Sequence, residues 1–357
     1  MSLESLRNQI DTLDDQLLNL LNQRMELVRR VGELKRSTNA VIYRPEREKQ
    51  ILDRLHEQNN GLLNREAIEA IFLEIFAVSR NLELPERVAY LGPEGSFTHQ
   101  AAESRFGAMS TYVALPTIRS VFESVETGRV RFGVVPIENN QEGVVSEAVD
   151  LLLEKDLTIA AEAQIPVHFT FATKAENLTD ITHIYSKDIA FRQCSKFLND
   201  SFDGLKVEQV PVESTSKAAK MAAQNPNSAA LCSTIAAKLF GVPILFGNIE
   251  DSNLNRTRFL ILAKDFVNQP SGRDKTTMIA RLPNTDRPGV LAEFLQEFNL
   301  RRINITKIES RPLREGATFR YWFLLECEGH ATDPDLQEIL NHHAAEVKLL
   351  GSYVRVS

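Results

Sequence analysis

Apolar residues return every third or fourth position at Ile10, Leu13, Leu17, Leu20, Leu21, Leu27, Val28, Val31 and Leu34, and no proline interrupts the run before Pro45. That period belongs to a helix. A helix from about Leu3 to about Ser37 is some 50 Å long at roughly 1.5 Å per residue. A rod of that length cannot bury its apolar stripe inside a small domain. Gly32 and Gly61 are the only glycines of the first 86 residues. A second helix is expected after Arg44-Pro45 and a third over roughly residues 64–84. Residues 1–86 therefore read as three long helices whose core is completed by another copy of the chain.

The stripe contains an anomaly. At about 100° per residue, Leu13, Leu17, Leu20, Arg24, Val31 and Lys35 fall within roughly 40° of one line. A cation on an apolar face snorkels, pairs with a protein carboxylate or waits for an anion. Two cations in one stripe, with Arg44 and Arg47 arriving on the next helix, favour an anion pocket over a snorkelling arginine. Arg7 points about 100° away and does not face that pocket from the same helix. Ser79 and Glu83 share a face of the third helix, which reads as solvated surface unless it lies opposite the cations.

Beyond residue 86 the pattern changes. Short β-rich runs (RVAYLG, RFGVVPIEN, LTIAAEAQIP, ITHIYS, AALCS, RFLILA) alternate with helical runs at 116–127, 143–154 and 214–224. This predicts two α/β lobes with a cleft. After a polar linker, VNQPSGRDK, the order is strand 276–282, helix 288–299, strand 303–311, strand 318–327, helix 333–345 and strand 347–355. That is the βαββαβ order of a ferredoxin-like domain. The domains are expected at 1–86, 87–268 and 274–357.

Three turns carry candidate chemistry. Gly92-Pro93-Glu94-Gly95-Ser96-Phe97 joins a strand to a helix, and its backbone N–H groups suit a carboxylate; a tight turn with an N-cap has the same sequence. Pro136-Ile137-Glu138-Asn139 ends a strand, where α/β sheets place ligand groups. Thr257-Arg258-Phe259 opens the last strand of the middle segment. His99 reads as structural or solvent-facing, and His342 and His343 sit late in a helix, where the dipole favours them.

Composition narrows the partners. The 357 residues carry 41 Lys and Arg against 48 Asp and Glu, net −7, so the basic footprint of a nucleic-acid binder is absent. No apolar run approaches the roughly 20 residues of a membrane span and the N-terminus is no signal peptide, so a cytoplasmic location is expected. Cys194, Cys232 and Cys327 are far apart and read as reduced thiols. No Cys/His cluster has ligand spacing and PEGSF is no nucleotide fingerprint, so neither a metal nor an organic cofactor is expected.

Longer motifs carry a resemblance. LRNQIDTLDDQLLNLLNQR, VGELK, REKQILDRL and Ser79…Glu83 make residues 6–83 resemble the all-helical chorismate mutase domain. The resemblance implies an intertwined dimer that binds chorismate, with Arg7 placed in the partner's site. Arg24 and Arg7 would clamp carboxylates, as guanidinium forks do. Lys35 and Glu83 would hydrogen-bond the ether oxygen, and Arg47, Glu48 and Ser79 would complete the shell. Two positions depart from the pattern. Glu83 stands where many members have Gln, and a carboxyl group donates only when protonated. Arg44 stands where some members have Asp.

AYLGPEGSFTHQAA, VVPIENNQEGVV, IYS…FRQCSKFL, ESTSKAA and NRTRFLIL make the middle segment resemble prephenate dehydratase over essentially its whole length. The resemblance implies a two-lobed cleft like that of periplasmic binding proteins. Thr257 would be the donor to the departing hydroxyl, and Arg258 would offset carboxylate charge. Ser96, Asn139, Ser186, Gln193 and Phe259 would be substrate contacts. Where many relatives read Ser-His-Pro-Gln, this chain reads Ser186-Lys187-Asp188-Ile189.

The last segment resembles an ACT domain. Pro288, Gly289, Val290 and Leu291 at the first helix, and Glu309, Ser310, Arg311 and Pro312 at the second strand, match its phenylalanine site. In this order the blocks resemble bifunctional chorismate mutase–prephenate dehydratases, feedback-inhibited by phenylalanine. The resemblance implies a homodimer or higher homo-oligomer with small-molecule partners and no nucleic acid or membrane. Two rival readings remain: a dehydratase with a degenerate mutase, and a non-catalytic small-acid sensor.

Overall fold

The computed structural model describes residues 2–38, 43–83, 87–283, 287–313 and 320–356. Helices α1 (Leu3–Thr38), α2 (Pro45–Gln58) and α3 (Arg65–Glu83) follow the apolar period closely. Pro45 occupies the first turn of α2, where the N–H it lacks would have no helical partner. Along α1 the stripe stands in the open within one chain: Leu13, Leu17 and Leu20 are 61, 56 and 62% exposed.

The chain divides into two compact units, Met1–Glu86 with Phe106–Thr111 and Arg87–Arg105 with Tyr112–Ser357. The expected boundary at 86/87 touches residues 84–86, which lie outside the described ones. The return of Phe106–Thr111 to the helical unit differs from the sequence expectation, and Arg80 explains it. This buried guanidinium ion-pairs with Glu48, donates to the Phe106 carbonyl at 2.8 Å and lies over the Tyr43 and Phe106 rings at 5.7 and 5.8 Å. Glu74 accepts from the Ala108 N–H at 2.9 Å. A buried cation needs such partners, and the segment supplies them.

The second unit holds three sheets. The first has the strand order Thr111–Leu115, Arg87–Leu91, Phe132–Asn139, Arg256–Ala263, Thr158–Pro166, with a short strand, Gly143–Val144, beside Phe132–Asn139. The second runs Ile244–Phe246, Thr170–Thr173, Ser228–Cys232, His183–Ser186, Glu208–Pro211. The chain crosses from one to the other after Pro166 and returns before Arg256, so the two expected α/β lobes are present.

Strand Arg256–Ala263 pairs Thr257 with Asn139 and Arg258 with Glu138, and the register slips between Arg258 and Phe259, opposite Pro136. Proline has no N–H for a central ladder and belongs at a bulge. Alternation along the strand then sends Thr257 and Arg258 to opposite faces.

The third sheet is antiparallel, in the order Ile305–Leu313, Arg320–Glu328, Asp274–Ala280, Val347–Val354. Helices Val290–Leu300 and Pro334–His342 cover one face through Phe294, Phe298, Leu336 and Ile339. The other face shares a core with the first sheet: Ile279, Trp322, Leu324 and Leu350 join Val135, Ile137, Leu260 and Leu262. A side chain at Gly351 would meet the Ile159 carbonyl oxygen at 2.6 Å. The stretch expected to be a polar linker is also engaged. Asn268 is buried, and its amide donates to Ala160 and Ser352 carbonyls at 2.8 Å each. Hydropathy cannot separate such a bridging amide from a solvated one.

All three cysteines are buried, and burial pushes the Cys194 and Cys232 thiols up to about 12 and 11. Among the described residues no helix is long and apolar enough to cross a membrane.

Candidate active and regulatory sites

In the helical unit, α1 and α3 approach closely at Gly32, where a Cβ would stand 3.3 Å from the Glu83 Cα. Along this seam Arg24 Nη1 donates to Ser79 Oγ at 2.6 Å, and Lys35 Nζ meets Glu83 Oε2 at 2.8 Å. Arg24 lies 5.9 Å over the Phe76 ring, and burial lowers its pKa against the opposing charge of Glu83. Four of the expected residues thus meet, and Ser79 and Glu83 face the cations, not solvent.

One feature differs from an open anion pocket. Lys35 is held by a carboxylate, so an anionic guest competes with Glu83 for it. Arg7 lies about 25 Å further along α1 and is exposed. Arg47 is exposed and reaches Gln50, Arg44 lies beside Glu46, and Glu48 is spent on Arg80. None of these four joins the cluster within the chain.

In the second unit a polar chain runs from the first sheet to the end of helix Asp188–Gln193. Asn139 Nδ2 donates to Thr257 Oγ1 and Asn255 Oδ1 at 2.8 Å each. Asn255 Nδ2 donates to Gln193 Oε1 at 3.3 Å, and Gln193 Nε2 donates to Gln141 Oε1 at 2.8 Å. The Asn139 side-chain Oδ1 is fixed by the Gln141 and Glu142 N–H groups at 2.9 Å. Thr257 therefore accepts from Asn139 and keeps its own proton available as a donor. Asn255 and Gln141 were not singled out from sequence, although both lie inside the quoted motifs.

Arg258 departs from its expected place. It lies on the other face of the strand, where Glu326 receives both of its terminal nitrogens and Glu138 and Glu162 stand at 3.5 and 3.6 Å. Burial would lower its pKa, but the Glu326 and Glu162 carboxylates outweigh burial and raise it, so it remains a cation. The physical reason is the period of two: a strand that aims Thr257 into the cleft aims its neighbour out of it. Phe259 is buried in the core.

At the Gly-rich turn, Ser96 caps helix Phe97–Phe106, accepting from the His99 N–H at 3.2 Å. Gly95 takes φ +79°, and a Cβ there would stand 3.0 Å from Ala236 and Ser216. Ser216 and Ser233 donate to the Glu94 and Gly95 carbonyls. The first turns of helices Phe97–Phe106, Thr215–Gln224 and Thr234–Leu239 therefore converge here, giving positive ends to an anion. His99 accepts from the Gly95 N–H at 3.1 Å and stacks on Tyr90, the structural role expected. Ser186 is fully buried and donates to the Leu231 carbonyl at 2.7 Å, so its hydroxyl is occupied in this state.

In the third sheet Gly289, at φ +92°, turns the chain into helix Val290–Leu300; only glycine adopts that backbone without strain. Pro288 and Gly289 are exposed, as are Ser310 and Pro312, while Val290, Leu291 and Glu309 are half-buried. Arg311 points to the other face and ion-pairs with Asp150 at 2.9 Å. It holds the third sheet against helix Ser146–Glu154 and faces away from Ser310. His342 and His343 converge on Glu297, with His343 bridging to Glu346 at 2.7 Å. Burial lowers the His343 pKa, but hydrogen bonds to both carboxylates raise it on balance.

Comparison with known proteins follows the same three blocks. Chorismate mutase type II matches residues 6–84, prephenate dehydratase residues 88–266 and the ACT domain residues 284–341. The chain is 38% identical to the bifunctional chorismate mutase/prephenate dehydratase of Aquifex aeolicus, over 98% of this chain and 97% of that one. It is 40% identical to that of Stutzerimonas stutzeri, with the same coverage. A solved prephenate dehydratase from Arthrobacter aurescens, in complex with L-Phe, is 32% identical, with a TM-score of 0.67 over 75% of this chain and 90% of that chain.

Proposed function

The chain belongs to the bifunctional chorismate mutase/prephenate dehydratase family, and we propose how its residues divide the two reactions. It rearranges chorismate to prephenate and then converts prephenate to phenylpyruvate with loss of CO2 and water. The first step needs no nucleophile, only a compact conformer and stabilised charge. Arg24 and the partner's Arg7 hold the two carboxylates, and Lys35 donates to the ether oxygen as its C–O bond breaks, joined by Glu83 when its carboxyl carries a proton. Ser79 completes the shell from the same chain, while Arg47 and Glu48, which stand apart from this cluster, are left out of it. The apolar face of α1 is covered by a second copy of the chain, which also delivers Arg7.

Random pairing tests that assignment. Arg7→Ala and Arg24→Ala chains, each mutase-inactive alone, regain about a quarter of wild-type turnover when mixed and re-equilibrated, because half the dimers carry one intact site of two. No recovery would place both arginines in one chain's site.

The dehydration assignment rests on one observation: the Thr257 hydroxyl accepts from Asn139, so its own proton is available to another acceptor. That proton meets the departing ring hydroxyl while the carboxylate leaves as CO2. The converging helix ends at Gly95 and Ser96 take a substrate carboxylate, and Asn139, Gln193 and Asn255 fix the donor. Phenylalanine binds beside Gly289 and Ser310 and inhibits dehydration.

Purified protein given chorismate, then prephenate, each with and without phenylalanine, tests the whole reading. Phenylpyruvate is expected from both substrates, with dehydration depressed by phenylalanine. Turnover of prephenate alone would mark a degenerate mutase, and turnover of neither would mark a sensor. A rate insensitive to phenylalanine would remove the regulatory assignment.

A further inference from the structure

Six charged side chains meet between the first and third sheets, all but Glu138 at most 17% exposed. Arg258, Lys275 and Lys307 face Glu138, Glu162 and Glu326, three cations against three anions. Glu326 takes the Arg258 guanidinium in a two-point contact, one arm at 3.0 Å, and also stands 3.4 Å from Lys275. Lys275 meets both Glu162 oxygens at 3.0 Å, and Lys307 reaches Glu138 at 2.5 Å. Glu162 and Glu326 side chains are each 2% exposed. Networks this deeply enclosed add little net stability, because desolvation offsets attraction. What they do is fix geometry, since a planar fork accepts few orientations.

The network has one end in each reading of the protein. Arg258 adjoins Thr257 in the strand. Glu326 lies in strand Arg320–Glu328, whose ladder partner carries Lys307 opposite Glu326 and Ser310 opposite Phe323. Any ligand that shifts the Ser310 strand therefore moves partners of Arg258.

We propose that Glu326 is a positioning residue for dehydration: it anchors Arg258, thereby fixing where the strand presents Thr257, and carries the state of the third sheet to that hydroxyl. The inference rests on Thr257 as the donor. It gives Arg258 a role different from contact with the substrate carboxylate. Coupling of this kind requires two arrangements of the third sheet that differ in how they hold Arg258.

The test uses the full chain. Glu326→Gln lowers dehydration kcat about tenfold with KM for prephenate within about twofold, leaves mutase turnover unchanged and blunts the response to phenylalanine. Glu326→Asp restores part of the rate. Arg258→Gln/Glu326→Gln is no slower than the worse single variant, because the pair acts as a unit. That double variant also leaves Lys275 with Glu162 and Lys307 with Glu138, so it is the one to measure if the single variant misfolds; mutase turnover and melting report folding.

An unchanged kcat with an unchanged phenylalanine response overturns the inference. So does a changed KM at constant kcat, which would make Arg258 a substrate contact. Thr257→Ala measured in parallel separates the two levels: if it stays active the donor assignment fails, whereas if it is inactive and Glu326→Gln is normal, only the link fails.

Discussion

Thr257→Ala lowers prephenate dehydration about 10²–10⁴-fold, the range of a lost general acid, while the same protein rearranges chorismate at the wild-type rate. The hydroxyl is small and weakly acidic, so its value lies in placement. Asn139, itself held by two backbone N–H groups, occupies a Thr257 lone pair at 2.8 Å and keeps the proton out of that direction. Alanine keeps the strand and removes the hydroxyl, both as donor and as the acceptor of Asn139, together with the γ-methyl. Thr257→Ser, which keeps the hydroxyl but loses the rotamer preference of a β-branched side chain, retains part of the rate. Initial rates of phenylpyruvate formation from prephenate measure both. A fully active Thr257→Ala protein would move the proton donor elsewhere in the cleft.

Lys35→Ala lowers chorismate rearrangement about 10²–10³-fold, as loss of one preorganised donor to developing charge does, with dehydration of supplied prephenate unchanged. Two effects act in the same direction. The cation that meets the ether oxygen is gone, and Glu83 loses its ammonium partner at 2.8 Å beside a dianionic substrate. A second substitution, Glu83→Gln, removes that repulsion and recovers part of the loss, so the double variant is faster than Lys35→Ala alone. Chorismate disappearance is the measurement. A double variant slower than the single one would show Glu83 to be a donor in its own right.

What the sequence revealed depended on whether a pattern was local. The α1 helix and the βαββαβ order follow from period alone, and the two cations of α1 stood out because they broke an apolar stripe. Ser79 and Glu83 take their meaning from the packing of α3 beside Arg24 and Lys35. The carboxylate partners of Arg258 are not legible in its motif, which names neighbours without saying which face of the strand each one takes. Glu326 and Glu162 carry no motif at all; their role comes from a sheet that lies against another sheet, a relation between distant segments. Phe106–Thr111 belongs with the helices through Arg80, a cation whose partners are long-range in sequence.

The close passage at Gly351 and the bridging amide of Asn268 bear on how such chains can be inherited. A break after residue 268 would strip Val135, Leu260 and Leu262 of their cover and leave Arg258 facing two carboxylates of its own lobe. Sensor and catalyst must therefore descend together, and a sensor borrowed from a distant relative would fit only if it brought its own glycine and its own acid to the seam.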